Sequence, residues 1–176
     1  MAEDITKSVG LIVFTRLPET DELVAVLRRC GQYNFENGFR EKTWAGACQG
    51  TAHGKLEQGE SFHSALSRGI KEELGPYFFK VFDCCEGRYV LRLSCQDVDD
   101  KVTYGIFVHI EALRCIRLEP SSGGLVILRS YEVSSIHNLR NFNKKLGVAD
   151  LTVVAMFPDE VESLKKGFER FEHALV

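Results

Sequence analysis

Residues 54–75 read GKLEQGESFHSALSRGIKEELG, and no other stretch constrains the fold as tightly. Ser61 is a good N-cap. Phe62, Ala65, Leu66, Ile70 and Leu74 then recur at helical spacing until Gly75 and Pro76 stop the run, so the segment predicts a loop, a helix and a second loop. With Phe62 set at zero and 100° per residue, Leu66 falls at roughly 40°, Ile70 at roughly 80° and Glu73 at roughly 20°. Glu73 therefore points along the apolar stripe, where an unpaired carboxylate would cost several kcal/mol, so it must meet a cation, a metal or strong hydrogen-bond donors. Glu72 falls on the flank, four residues after Arg68, which can orient it. Glu60 lies just before the helix. Three carboxylates could thus converge where loop meets helix, an oxygen-rich setting suited to Mg²⁺. Paired glutamates alone would read as an ordinary solvated helix face; the length of the whole pattern argues otherwise.

The rest of the chain supplies a sheet for that helix to cover. Residues 9–16 and 22–29 are rich in branched apolar side chains and flank Pro18, which predicts two adjacent strands. Residues 30–42 read as a surface loop whose aromatics Tyr33, Phe35 and Phe39 either touch a ligand or pack the loop down, the second being the simpler expectation. A short strand is expected over 44–49 and a loop over 50–59. Further strands are expected over 77–82, 87–93, 102–112 and 125–129, and a last amphipathic helix over 158–174. Strands flanked by a middle and a last helix imply a mixed sheet covered on both sides.

The 176 residues suit one domain, and 44% hydrophobic content is enough to build its core. A net charge of −3 gives no electrostatic reason to expect nucleic-acid binding. No signal-peptide pattern or span-length apolar run is present, which leads to the expectation of a cytoplasmic protein. Cys30, Cys48, Cys84, Cys85, Cys95 and Cys115 form neither a CxxC pair nor a zinc-type cluster and read as reduced, mostly buried thiols.

Gly54, Glu60, Arg68, Ile70, Glu72, Glu73 and Gly75 together resemble the Nudix box: glycine, five residues, Glu, seven residues, Arg-Glu, an apolar residue, any residue, Glu-Glu, any residue and Gly. The resemblance implies a single α/β domain over 1–176, a Nudix-type α/β/α sandwich with a central mixed sheet and the box at 54–76. It implies hydrolysis of a nucleoside diphosphate linked to another moiety, with Mg²⁺ or Mn²⁺. By position, Glu72 and Glu73 would be the principal metal ligands, Gly54 would offer its carbonyl, Glu60 would support the metal, and Arg68 would orient the glutamates. Many such proteins are dimers, and the apolar first strands are compatible with a homodimer.

One position departs from the pattern: Gly69 stands where the box has the glutamate after its arginine. That glutamate often contributes to the metal site and in some members is the general base, so the base is unassigned here. Close packing of Gly69 against a neighbouring element would be a benign explanation. Glu111, Glu119 and Glu132 are conceivable substitutes. His53, His63 and Lys55 could meet phosphate, although ordinary surface roles fit them as well. Three readings follow: a hydrolase with an altered base; a catalytically impaired domain that binds a nucleotide or a protein; and, less favoured, an enzyme resembling isopentenyl diphosphate isomerases, which would need a reactive thiol such as Cys48.

Overall fold

The computed structural model describes residues 7–85, 90–94 and 100–174. Its centre is a mixed sheet. Strands β1 (Ser8–Arg16) and β2 (Leu23–Cys30) are antiparallel neighbours, their turn closed by hydrogen bonds between Leu17 and Glu22 and between Asp21 and Leu17. Their branched residues are buried along nearly the whole length because both sheet faces are covered. A small hairpin, β3 (Tyr33–Asn34) and β4 (Arg40–Glu41), projects beyond β2, and β5 (Cys48–Gln49) returns to pair with it. Strand β6 (Ala52–Lys55) pairs with the first half of β1. The box helix α1 (Phe62–Leu74) follows, then α2 (Pro76–Cys85), β7 (Val90–Arg92), β8 (Lys101–Phe107) and β9 (Ser122–Arg129). Strand β8 runs parallel to β1; β9 lies antiparallel to β2. A separate pair, β10 (His137–Asn138) with β11 (Ala155–Met156), precedes α3 (Pro158–Phe171).

Strand alternation divides the core into two layers. Val9, Leu11, Val13 and Val26 face one side, where Ala65, Leu66, Ile70 and Leu74 of α1 and Phe78 and Phe82 of α2 pack on them. Ile12, Phe14, Ala25 and Leu27 face the other, under Leu164, Phe168 and Phe171 of α3. The expected α/β/α sandwich with a central mixed sheet is therefore present, with α1 and α2 on one face and α3 on the other.

Several expected elements differ. Residues 77–82 form a helix rather than a strand: Gly75, at φ 89°, breaks the α1 axis, and Phe78 and Phe82 then bury at i, i+4 spacing. The 50–59 loop contains β6. Only Cys48 and Gln49 of the 44–49 segment are strand, because Trp44 takes φ 65° and turns the chain. The 102–112 run ends as strand at Phe107 and continues as a 3-10 turn over Ile110–Cys115. Residues 87–89 of the expected 87–93 strand lie outside the described residues, as does Cys95; the strand described is Val90–Arg92. Among the described cysteines all five are free; Cys84 is exposed and Cys48 is buried.

Candidate Nudix-type site

Helix α1 starts as read, with the Ser61 hydroxyl accepting from the Ser64 N–H. Its polar flank is organised by Arg68, whose Nε and Nη2 donate to the two carboxylate oxygens of Glu60 at 3.1 and 2.8 Å. Nη2 also donates to the Lys55 carbonyl at 2.8 Å, which ties the helix to the end of β6, and Nη1 reaches Glu72 at 3.4 Å. This forked, charge-assisted geometry holds the loop against the helix, and the Arg68 hydrogen bonds keep the Glu60 carboxyl below its usual range. Glu72 is mostly exposed.

Glu73 looks the other way, onto the sheet. The demand for a cation on the apolar stripe is met by Arg28 of β2, whose Nη2 donates to Glu73 Oε1 at 2.7 Å. The second oxygen, Oε2, accepts from the backbone N–H of His53 at 2.7 Å. Arg28 Nη1 reaches Glu119 Oε1 at 3.0 Å. Glu119 comes within reach because the segment before β9 is anchored to the helix end, where the Arg117 N–H donates to the Leu74 carbonyl at 2.8 Å. The Arg28 side chain is only 5% exposed, and its Nε is buried without a partner. Burial nevertheless pushes the Glu73 carboxyl up, although Arg28 and the His53 N–H oppose the shift.

The remaining expected residues scatter. Gly54 pairs with Val9, and a Cβ on it would lie 4.0 Å from the Gly69 Cα, so the box glycine does approach the helix. Gly69 is buried, yet a Cβ there would meet no heavy atom of the described residues within 4 Å beyond its own helix backbone, so no neighbouring element among them packs closely on it. The His53 ring faces the other side of the sheet: it lies beside Gly10 and feels Lys101 and Asp159, and burial lowers its pKa to about 4. Only its backbone touches the box. His63 is exposed on α1, Glu111 pairs with Arg114, and Glu132 caps its own turn through the Arg129 N–H. Glu119 is thus the one substitute carboxylate brought beside Glu73, through Arg28. Cys48 lies in the core under α3 with its thiol pushed up by burial, an inert environment.

Sequence reasoning missed Arg28, which reads as the polar end of an apolar strand 45 positions from its partner Glu73. The signal was indirect, namely the misplaced carboxylate that required it. It missed, too, the uncovered strip beside it. Leu125 and Ile127 stand opposite Arg28 and Val26, hence on the α1 face, but α1 does not cover them and they are 36% and 39% exposed. The aromatics of the β3–β4 hairpin do not pack into the core: Phe39 is 68% exposed and contacts Phe35. Lys42 ties that hairpin to Ser121 at the start of β9.

No protein-family sequence model matches the chain, and no curated protein sequence matches it. Solved structures do. A MutT/nudix family protein from Listeria innocua superposes with a TM-score of 0.55 at 16% identity, covering 95% of this chain and 92% of its own. A MutT/nudix family protein from Enterococcus faecalis gives 0.53 at 18% identity; the match takes in 98% of this chain but only 64% of that longer one. The fold is the Nudix fold. The Nudix domain of Shewanella oneidensis NrtR, solved with ADP-ribose, gives 0.52 at 14% identity over 93% of this chain and 86% of that one.

A Nudix fold raises the question of a divalent cation, and the residues present do not fit one. Both oxygens of Glu73 are engaged, by a guanidinium and a backbone N–H. Both oxygens of Glu60 are engaged by Arg68. Glu72 reaches Arg68 at 3.4 Å, and position 69 offers no carboxylate at all. Among the described residues no three Asp, Glu, His or Cys side chains gather where they could hold a metal ion. The three box carboxylates expected to converge are instead divided between two arginines.

Proposed function

We propose that this chain is a catalytically impaired Nudix-fold domain that binds a nucleoside diphosphate linked to another moiety. The observation that carries this reading is the Arg28–Glu73 pair, which satisfies the central box carboxylate internally. Support for the ligand class comes from the ADP-ribose held by the Shewanella relative and from the uncovered strip of Leu125 and Ile127 beside Arg28, an apolar floor for a flat base next to charged groups. The exposed Phe35 and Phe39 on the hairpin tied to Ser121 would supply one rim.

A second reading, metal-dependent pyrophosphohydrolase with Mg²⁺ or Mn²⁺ held by Gly54, Glu60, Glu72 and Glu73, is favoured by a different observation. Arg68 keeps Glu60 and Glu72 in box register, and the space around Gly69 is open. One experiment separates the two. The full chain is titrated with ADP-ribose by calorimetry, and phosphate release is followed from nucleoside diphosphate sugars, dinucleoside polyphosphates, nucleoside triphosphates and capped RNA with each metal. Saturable ADP-ribose binding, weakened by Leu125→Asp and unaccompanied by turnover, supports the binding domain. Turnover of one class, lost in Glu72→Gln/Glu73→Gln, supports the hydrolase. Neither binding nor turnover would sink both.

A further inference from the structure

We propose that Arg28 is a built-in cation that stands in for a divalent ion in the box, so that the site is complete and the fold is stable without metal. This deepens the binding-domain reading above, but it concerns the metal rather than the nucleotide and can fail independently.

Two features act on the same spot. The first is an internal cation. Arg28 divides its fork between Glu73 at 2.7 Å and Glu119 at 3.0 Å, so one guanidinium bridges a carboxylate from the helix and one from the segment before β9. Arginine is charged at every accessible pH, and this one is almost wholly enclosed, so water screens it poorly. A divalent ion bound to Glu73 would stand within a few ångströms of that charge and would have to displace it. The second is the box glutamate that position 69 lacks. Position 69 lies one helical turn before Glu73, on the same face, and in this chain it contributes no side chain. A cation beside Glu73 would therefore lack its nearest second carboxylate. An absent anion and a cation already in place both lower the demand for a metal at Glu73.

Among the described residues nothing outside its own helix backbone would lie within 4 Å of a Cβ at position 69. The arrangement can therefore be run backwards: Gly69→Glu restores an anion in open space, and Arg28→Gln removes the competing cation.

The test uses the full chain and Mn²⁺ alone, with free Mn²⁺ read by electron paramagnetic resonance and unfolding followed by circular dichroism. For the native chain the expected result is no stoichiometric binding up to about 1 mM Mn²⁺ and a melting temperature unchanged between EDTA and Mn²⁺. Gly69→Glu alone should change affinity by less than about twofold, because Arg28 still blocks the position. Arg28→Gln/Gly69→Glu should bind one Mn²⁺ at least about tenfold more tightly than the native chain and should melt higher with Mn²⁺ than with EDTA. Native-chain binding of one Mn²⁺ that disappears in Glu73→Gln would overturn the proposal. So would tight binding by Gly69→Glu alone, or a folded double variant with no gain. If the double variant does not fold without metal, recovery of its helical signal on adding Mn²⁺ supports the proposal. Failure to recover it would overturn the proposal, and Arg28→Lys/Gly69→Glu, which keeps a cation at 28, should bind Mn²⁺ no more tightly than Gly69→Glu.

Discussion

At the scale of single residues, two glycines in helices make opposite demands. Gly69 sits inside α1 facing open space, whereas a Cβ on Gly167 of α3 would overlap the ring of Phe14. Glycine within a helix costs backbone entropy, so Gly69→Ala should stabilise the domain by about 1 kcal/mol. Gly167→Ala should destabilise it by about 1–3 kcal/mol, because the Phe14 ring is held between Phe168 and Phe171 and has little room to move. Urea denaturation of both variants checks the signs; a Gly69→Ala variant weaker than the native chain would mean that the helix needs glycine for a reason other than space. The sequence marks Gly69 only as an anomaly in a pattern. It cannot distinguish a glycine required by a neighbour from one that merely lacks a side chain, since that depends on where β6 and the sheet lie.

Secondary-structure elements are joined across the α1 face by polar bonds as well as by apolar contact. Arg28 links β2 to α1 through Glu73 and to the segment before β9 through Glu119. Arg28→Met should therefore cost about 3–5 kcal/mol, since it leaves the largely buried Glu73 without its cation. Arg28→Met combined with Glu73→Leu should recover most of that loss, because replacing a buried pair by apolar side chains is close to neutral. A double-mutant cycle measured by chemical denaturation gives the coupling; additive losses would show that the two side chains are not energetically paired. The box helix was legible to the residue, from Phe62 to Leu74, because its cap, stripe and stop all agree. Helix α2 was not. Its Tyr-Phe-Phe run carries strand-like composition, and the Gly-Pro pair before it reads as an end, while the structure uses the pair as a corner between two helices. The site was half legible for the same kind of reason. Arg68, Glu60 and Glu72 are close in sequence, but the partner of Glu73 comes from another strand, and only the placement of a carboxylate on an apolar stripe hinted that it existed.

Over the whole molecule, buried titratable groups where α3 meets the sheet make stability depend on pH. Glu160, in the first turn of α3, is buried; it accepts from the Gly50 N–H beside β5 and lies 3.8 Å from Lys101 of β8, so it joins the α3 layer to the sheet. Burial raises its pKa above the ordinary 4.5 despite the nearby lysine. The folded state therefore holds this proton to higher pH than the unfolded chain does. Its contribution to stability is fully present below about 4.5, is lost as pH rises through the folded value, and is constant beyond it. His53 acts in the opposite sense: its pKa is lowered to about 4, so its contribution is present above its ordinary 6.5 and is lost as pH falls toward 4. The native profile mixes the two, and a difference between variants is needed to isolate one. Glu160→Gln keeps an acceptor for Gly50 and cannot ionise. Relative to the native chain, its stability should improve as pH is raised from about 4.5 and then level off above the folded value of Glu160. Denaturant midpoints at several pH values between about 4.5 and 8 measure that difference. A difference that falls with pH would show that the Lys101 contact, rather than burial, governs the carboxyl, and that the α3 layer is held to the sheet by an ion pair instead of in spite of one.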